Sequence, residues 1–294
     1  MMSKKRILFI VNPISGNRNK RRFPDIAASV LGDDMSYEIV FTESVGHATK
    51  LATEAVGDYD IVAAVGGDGT LNEVARGLIG TDTPLAIIPS GSGNGLARCL
   101  GIPLHVDKAL RLLSQGSVKS IDTASVNGKP FLSVAGIGLD AQTAYDFAAD
   151  PRRGFLTYAR YAVRNYLHYK PEEVRITLED RETVVCSPLL VTFANSNQFG
   201  YHAIIAPHAS LQDGLLDTCV LYRPSLLKAP AAVIKMMLGR LNKSRLHTDY
   251  QAAHIHLERP APGVVNVDGE PVMMTETLDI RIVPKSLRVV CPDK

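Results

Sequence analysis

The chain has 294 residues, enough for two cores of ordinary domain size. Hydrophobic residues at 46% and charged residues at 21% exclude a disordered chain. A formal net charge of +2 is too near neutral to argue for nucleic acid as a partner; the basic clusters Lys4-Lys5-Arg6 and Arg18 to Arg22 read as solvated faces or as contacts to an anionic surface.

No apolar run reaches transmembrane length, and residues 7–11 make only a strand-sized run before polar Asn12, which argues against a secretory signal. Cys99, Cys186, Cys219 and Cys291 are far apart in sequence, with no metal-binding pair, which fits a reduced, cytoplasmic chain. An apolar substrate would then be met at a membrane surface.

In chain order, residues 5–11 are expected as a buried strand ending in the polar loop Asn12-Pro13-Ile14-Ser15-Gly16-Asn17. A helix over 22–31, a strand over 37–42 and a helix over 46–56 follow. Residues 59–65 form the next strand, opening into Gly66-Gly67-Asp68-Gly69-Thr70 and a helix over 71–78. A strand over 84–89 leads at once into Ser90-Gly91-Ser92-Gly93-Asn94-Gly95, then helical 96–100 and 106–114. Strand, glycine turn and helix in alternation predict a three-layer α/β domain over 1–120.

From there the pattern changes to strands at 121–126, 129–137, 174–178, 184–193, 218–222, 254–257, 264–267 and 278–283, with 287–290 as a short tail. Asn127-Gly128 signals a hairpin, and helices are expected over 156–167 and 226–240. A mostly antiparallel, sandwich-like second domain is predicted over 121–283, with a cleft between the domains and a tail, 284–294, that could return to the first domain.

The glycine loops carry the chemistry. A glycine turn from strand to helix converges free N–H groups on an anion, and its glycines permit positive φ and close backbone approach. Asp68 would repel a bare phosphate, but it makes sense with a divalent cation between them. Gly66, Gly67, Gly69 and Thr70, with Ser90, Gly91, Ser92, Gly93 and Asn94 and with Asn12, are predicted to cradle nucleotide phosphates. Neither loop is a P-loop or a dinucleotide fingerprint. Glu73 holds either a loop, a metal or simply a favourable place in the first helical turn; Arg18 and Arg22 are within reach of a triphosphate only if not solvated; Arg98 helps to hold the site together.

Phosphoryl transfer also needs a group to deprotonate the acceptor alcohol. Asn266-Val267-Asp268-Gly269-Glu270 offers Glu270 as base and Asp268 as its orienting neighbour or as a contact to Mg²⁺, against the plainer reading of an Asp-Gly hairpin. Asp213 and Asp217 are placed to share one hard cation with backbone carbonyls. His202 and His208 lack a close cysteine or a third ligand for zinc.

Taken together, Val11-Asn12-Pro13, Gly66–Thr70 with Asn72-Glu73, residues 89–98, Pro207…Asp213-Gly214…Asp217 and Asp268-Gly269-Glu270 resemble the diacylglycerol kinase catalytic family, in its bacterial soluble lipid kinase branch related to sphingosine and ceramide kinases. The resemblance runs over essentially the whole chain. It implies a phosphofructokinase-like nucleotide-binding domain, a β-rich lipid domain, and transfer of the γ-phosphoryl group of ATP to a lipid hydroxyl with Mg²⁺. It gives catalytic roles to Glu270, Asp268 and Asp68, and a structural magnesium site to Asp213, Asp217 and the Leu215 carbonyl. Ser92-Gly93-Asn94-Gly95 looks more like the sphingoid and ceramide kinase form. Partners expected are ATP, a lipid such as diacylglycerol or a sphingoid or ceramide-like lipid, and transiently the inner membrane surface, through residues 155–167 or 231–238; self-association is left open. A NAD kinase-like enzyme and a noncatalytic lipid or nucleotide sensor are the competing readings.

Overall fold

The computed structural model describes residues 4–14, 20–32, 34–152, 155–179, 182–199, 203–241 and 244–293, without the side chains of Arg21 and Phe155. Arg18, His202 and residues 15–17 of the first loop, all named above, lie outside the described residues. The chain forms two compact units, residues 1–122 with 284–294, and residues 123–283.

In the first unit β1 (Lys5–Val11), α1 (Phe23–Val30), β2 (Met35–Phe41), α2 (His47–Glu54), β3 (Ile61–Gly66), α3 (Asp68–Leu78), β4 (Leu85–Pro89), α4 (Gly95–Cys99) and α5 (Val106–Gln115) follow one another. The strands pair in parallel in the order β2-β1-β3-β4. β3 and β4 are buried at every residue, as unbroken apolar runs covered on both faces require. α5 shows how the layers close: Val106, Ala109, Leu110 and Leu113, spaced by three and four residues, are its buried face.

β5 (Ser117–Val126) carries the chain into the second unit. There follow β6 (Lys129–Phe131), β7 (Val134–Gly138), α6 (Leu139–Ala149), α7 (Phe155–His168), β8 (Val174–Leu178), β9 (Glu182–Cys186), β10 (Leu190–Ala194), β11 (Leu216–Leu221), α8 (Ala229–Met237), β12 (His247–Ala252), β13 (His254–Glu258), β14 (Gly263–Val267), β15 (Glu270–Met274) and β16 (Thr277–Cys291). One antiparallel sheet has the order β12-β11-β10-β7-β14-β15; β16, β13, β8 and β9 pair antiparallel in another. Phe131, Ile137, Phe193 and Val265 meet Ile176, Ile255, Leu257 and Ile280 in the shared core, which makes this unit a β-sandwich.

Several expected elements are corrected. The single strand over 129–137 is two strands, broken where the N–H groups of Leu132, Ser133 and Val134 turn to the Asp268 carboxylate. The strand over 184–193 is likewise two, β9 and β10. The strand over 278–283 and the tail over 287–290 are one strand, β16, whose last residues lie in the first unit, with Val289 beside Leu85 of β4. The helix expected from residue 71 starts at Asp68. α6, β12 and β15 were not expected at all.

Candidate active site

In the first unit the site gathers at the C-terminal ends of β1, β3 and β4. The Asn12 N–H bonds the Val65 carbonyl at 3.2 Å, tying the end of β1 to that of β3. Its side-chain oxygen receives the Ile14 N–H at 3.1 Å, and its carbonyl receives the Lys20 ammonium at 3.0 Å. Asn12 thus shapes its loop. Lys20 is buried, and desolvation pulls its pKa down to about 8. Inside a run of six basic or amide residues, 17–22, nothing in the sequence distinguishes it from solvated neighbours; only burial reveals a cation held beside the loop.

None of Gly66, Gly67, Gly69, Gly91, Gly93 and Gly95 has a positive φ, so of the two uses glycine permits the left-handed one is not taken. Close approach is what demands them. A Cβ on Gly66 would stand 2.5 Å from the Thr70 Cβ, and one on Gly91 would stand 2.5 Å from the Gly67 Cα. The two glycine loops are therefore in backbone contact, and the Ser90 N–H bonds the Gly66 carbonyl at 2.7 Å. The left-handed residue is Asn94, at φ 50°, and its side chain bridges Gly91 through both its oxygen and its amide nitrogen.

Asp68 joins the loops. One carboxylate oxygen receives the Asn94 N–H and the other the Gly95 N–H, each at 2.9 Å. Burial pushes its pKa up, against the pull of those amides and of the Arg98 charge. Arg98 donates from Nε to the Gly93 carbonyl at 3.1 Å, which holds the second loop from its other side. Glu73 uses its carboxylate on the first amides of α2, Gly46 at 3.0 Å and Ala48 at 3.3 Å, where the helix dipole favours an anion. Beside it Thr70 is buried, and its hydroxyl has no hydrogen-bond partner among the described residues. Asn12, Pro13, Thr42, Ser44, Thr70 and Glu73 line a cavity of about 270 Å³. An open cavity whose lining mixes these polar residues with Ile14, Val45 and Ala48, with an unused hydroxyl and a buried ammonium nearby, can take a phosphate.

In the second unit Asp268 and Gly269, at φ 52° and 88°, make the tight turn between β14 and β15. The Asp268 carboxylate receives the N–H groups of Leu132 at 2.7 Å, Ser133 at 2.8 Å and Val134 at 3.0 Å. That makes it an anchor of the turn. The Gly269 N–H bonds the Asn266 side-chain oxygen at 2.8 Å, and the Asn266 amide reaches the buried Asp140 carboxyl at 3.3 Å. Asp140 was not singled out from sequence; burial raises its pKa to about 7. The turn so held presents Glu270 to solvent, with the Lys129 ammonium 3.2 Å from its carboxylate.

The acidic loop brings Asp213 and Asp217 into electrostatic contact. Asp213 receives the Leu215 N–H at 3.1 Å, and one Asp217 oxygen receives the Gln251 amide at 3.2 Å. The other Asp217 oxygen is buried with no hydrogen-bond partner among the described residues. Burial first, and the Asp213 charge after the opposing Gln251 bond, raise the Asp217 pKa to about 6. An orphaned carboxylate oxygen in an oxygen-donor loop fits a hard divalent cation.

Two family models together span the chain: the diacylglycerol kinase catalytic domain matches residues 6–126, and the YegS C-terminal NAD kinase beta sandwich-like domain matches residues 133–291. The chain belongs to the diacylglycerol kinase/YegS family. Within it, a diacylglycerol kinase of Bacillus subtilis (strain 168) is 32% identical over 281 residues, 90% of each chain. A crystal structure of a candidate diacylglycerol kinase from Bacillus anthracis str. Sterne superimposes with a TM-score of 0.80 at 26% identity, covering 99% of this chain and 98% of that one. Yeast NADH kinase, at 10% identity and a TM-score of 0.57 over 100% of this chain and 85% of its own, shares the fold.

Proposed function

We propose that the chain transfers the γ-phosphoryl group of ATP to the hydroxyl of a lipid, with diacylglycerol the first acceptor to test and sphingoid or ceramide-like lipids next. The observation that carries this reading is the pair of glycine loops in backbone contact, locked by Asp68, beside a cavity into which Asn12 and Thr70 bring polar groups. Amides of Gly66, Gly67, Gly69, Gly91 and Gly93, with Thr70, Ser90, Ser92, Asn94 and Lys20, bind and orient the phosphates. Their dipoles are fixed before the reaction, so little reorganisation opposes transfer. Asp68 keeps the two loops in register.

Glu270 accepts the proton of the acceptor alcohol. Asp268 fixes the turn that carries it, and so is a positioning residue. Mg²⁺, when bound, neutralises charge on the phosphates; Asp213, Asp217 and the Leu215 carbonyl would hold a further, structural magnesium ion.

The lipid is met at a membrane surface. α8 has no buried residue, and Leu226, Leu227, Val233, Ile234 and Leu238 are exposed around it, with Lys228, Lys235 and Arg240 beside them. That combination of apolar and basic surface suits an anionic bilayer better than the core packing that an apolar helix suggests in sequence. α7 adds exposed Leu156, Val163 and Leu167 with Arg160 and Arg164. Among the described residues no helix is long and apolar enough to cross a membrane.

The test is phosphorylation of a whole lipid extract with labelled ATP and Mg²⁺, followed by identification of the labelled product, with NAD in a parallel reaction. A labelled lipid is expected. Label in NAD alone would replace this reading with a NAD kinase, and nucleotide binding without turnover would replace it with a sensor.

A further inference from the structure

On one face of the β11–β12 pair, Cys219 lies directly opposite Asp249, and His247 lies one step along, opposite Leu221. Residues two apart on a strand share a face, so these three side chains converge. The Cys219 sulfur, an imidazole nitrogen of His247 and a carboxylate oxygen of Asp249 all lie within 4.8 Å of one another. His247 Nε2 is 3.2 Å from an Asp249 oxygen, yet neither ring nitrogen makes a hydrogen bond among the described residues. The His247 side chain is 0% exposed, and Cys219 is buried as well.

A fully buried imidazole that has one nitrogen set against a carboxylate without hydrogen-bond geometry, and the other without a hydrogen-bond partner among the described residues, is costly. Cys219 offers no escape as a nucleophile, because it is sealed from solvent and its thiol is held in the neutral form. One thiolate, one imidazole and one carboxylate are instead the donors that a borderline-soft divalent ion takes, and their mutual separations suit a single ion between them. Mg²⁺ avoids sulfur, so this cluster is chemically different from the oxygen-donor loop of Asp213 and Asp217.

We infer that Cys219, His247 and Asp249 form a binding site for Zn²⁺ that pins β12 to β11. Three protein ligands leave a fourth position, which water can fill. His208 is close enough to act electrostatically on Asp249, from the loop that precedes β11. The ion would brace β12, the edge strand of the six-stranded sheet, against β11. The inference does not depend on the lipid kinase reading.

Untagged protein, stripped with a chelator and dialysed, is titrated with Zn²⁺ and separately with Co²⁺. One equivalent per chain is expected, with a thiolate-to-cobalt charge-transfer band and a melting temperature that rises with Zn²⁺. Cys219→Ala and His247→Gln are each expected to weaken Zn²⁺ binding by roughly a hundredfold and to lose the shift in melting temperature. Asp249→Asn, at an exposed position that leaves the core intact, is expected to weaken binding while preserving the fold by circular dichroism. Asp213→Asn is expected to leave Zn²⁺ binding unchanged. Failure of the wild-type protein to bind Zn²⁺, or binding undiminished in folded Asp249→Asn and in whichever of the other two variants folds, would overturn the assignment.

Discussion

Replacing Asp268 with Asn separates an anchor of the turn from a participant in the chemistry. The carboxylate receives three backbone N–H groups, at 2.7, 2.8 and 3.0 Å, and Asn keeps the left-handed backbone at φ 52° without strain. Its single oxygen can still accept from Ser133 and Val134. Its NH₂ would then face the Leu132 N–H, donor against donor. One hydrogen bond to a charged acceptor is lost, at about 1.5–3 kcal/mol, and two others fall from charged to neutral strength, at roughly 0.5–1 kcal/mol each. A destabilisation of about 2.5–5 kcal/mol is expected. It is read by urea denaturation of nucleotide-free protein, with the wild type alongside. Unchanged stability together with abolished turnover would refute the assignment, because it would show the carboxylate acting on the reacting atoms instead of on residues 132–134.

Asp68→Asn should lower affinity for ATP and Mg²⁺ at least about tenfold, because one of the two amides of Asn94 and Gly95 would face an NH₂ group and the glycine loops would part; calorimetric titration checks this, and wild-type affinity would contradict it. Burial raises the Asp140 pKa from 3.8 to about 7, so the folded chain keeps a proton over that interval that the unfolded chain releases. Stability contributed by the neutral form is complete below pH 4 and is lost as pH rises through about 7, by at most about 4 kcal/mol. Asp140→Asn should therefore gain on the wild type in melting temperature between pH 5 and pH 8, with Tyr158 and Tyr169 the ionisable neighbours coupled to this carboxyl; parallel profiles would sink the idea. Leu227→Glu with Ile234→Glu should reduce activity on lipid in anionic vesicles several-fold and leave activity on detergent-dispersed lipid unchanged, since both side chains are exposed. Equal losses in both assays would assign α8 another role.

The first unit was legible because its signals are local. The apolar run of β3, its exit into Gly66-Gly67 and the return to helical spacing at Leu71 are set by residues within one turn of each other. The use of the glycines was not legible, because Gly91 is demanded by a Cα of Gly67, a neighbour only in the folded chain. The second unit shows the same division. Asn127-Gly128 gave its hairpin, with φ 48° and 76°, but the break after Phe131 is imposed by a carboxylate 136 residues downstream of Leu132. α6 escaped notice because its buried face is Asp140, Ala141, Thr143 and Ala144, small or polar residues that leave no apolar stripe. β12 escaped for a related reason: its polar residues His247 and Asp249 converge with Cys219 of β11, a grouping that exists only once the two strands pair. In the candidate site, sequence pointed to Asp68, Asp268 and Glu270 but could not tell an anchoring carboxylate from a reactive one. The hydrogen bonds of Asp68 and Asp268, and the exposure of Glu270, now suggest that division.

Glu270→Gln tests the central claim most directly. The substitution keeps the size of the side chain, removes its ability to take up a proton, and gives up the charge that faces the Lys129 ammonium at 3.2 Å, on a carboxylate already exposed to solvent. Measured with labelled ATP, Mg²⁺ and the lipid identified from the extract, the variant should bind ATP as the wild type does while its turnover falls by about 10²–10⁴-fold. Phosphorylation of the lipid at the wild-type rate by the folded variant would contradict the account.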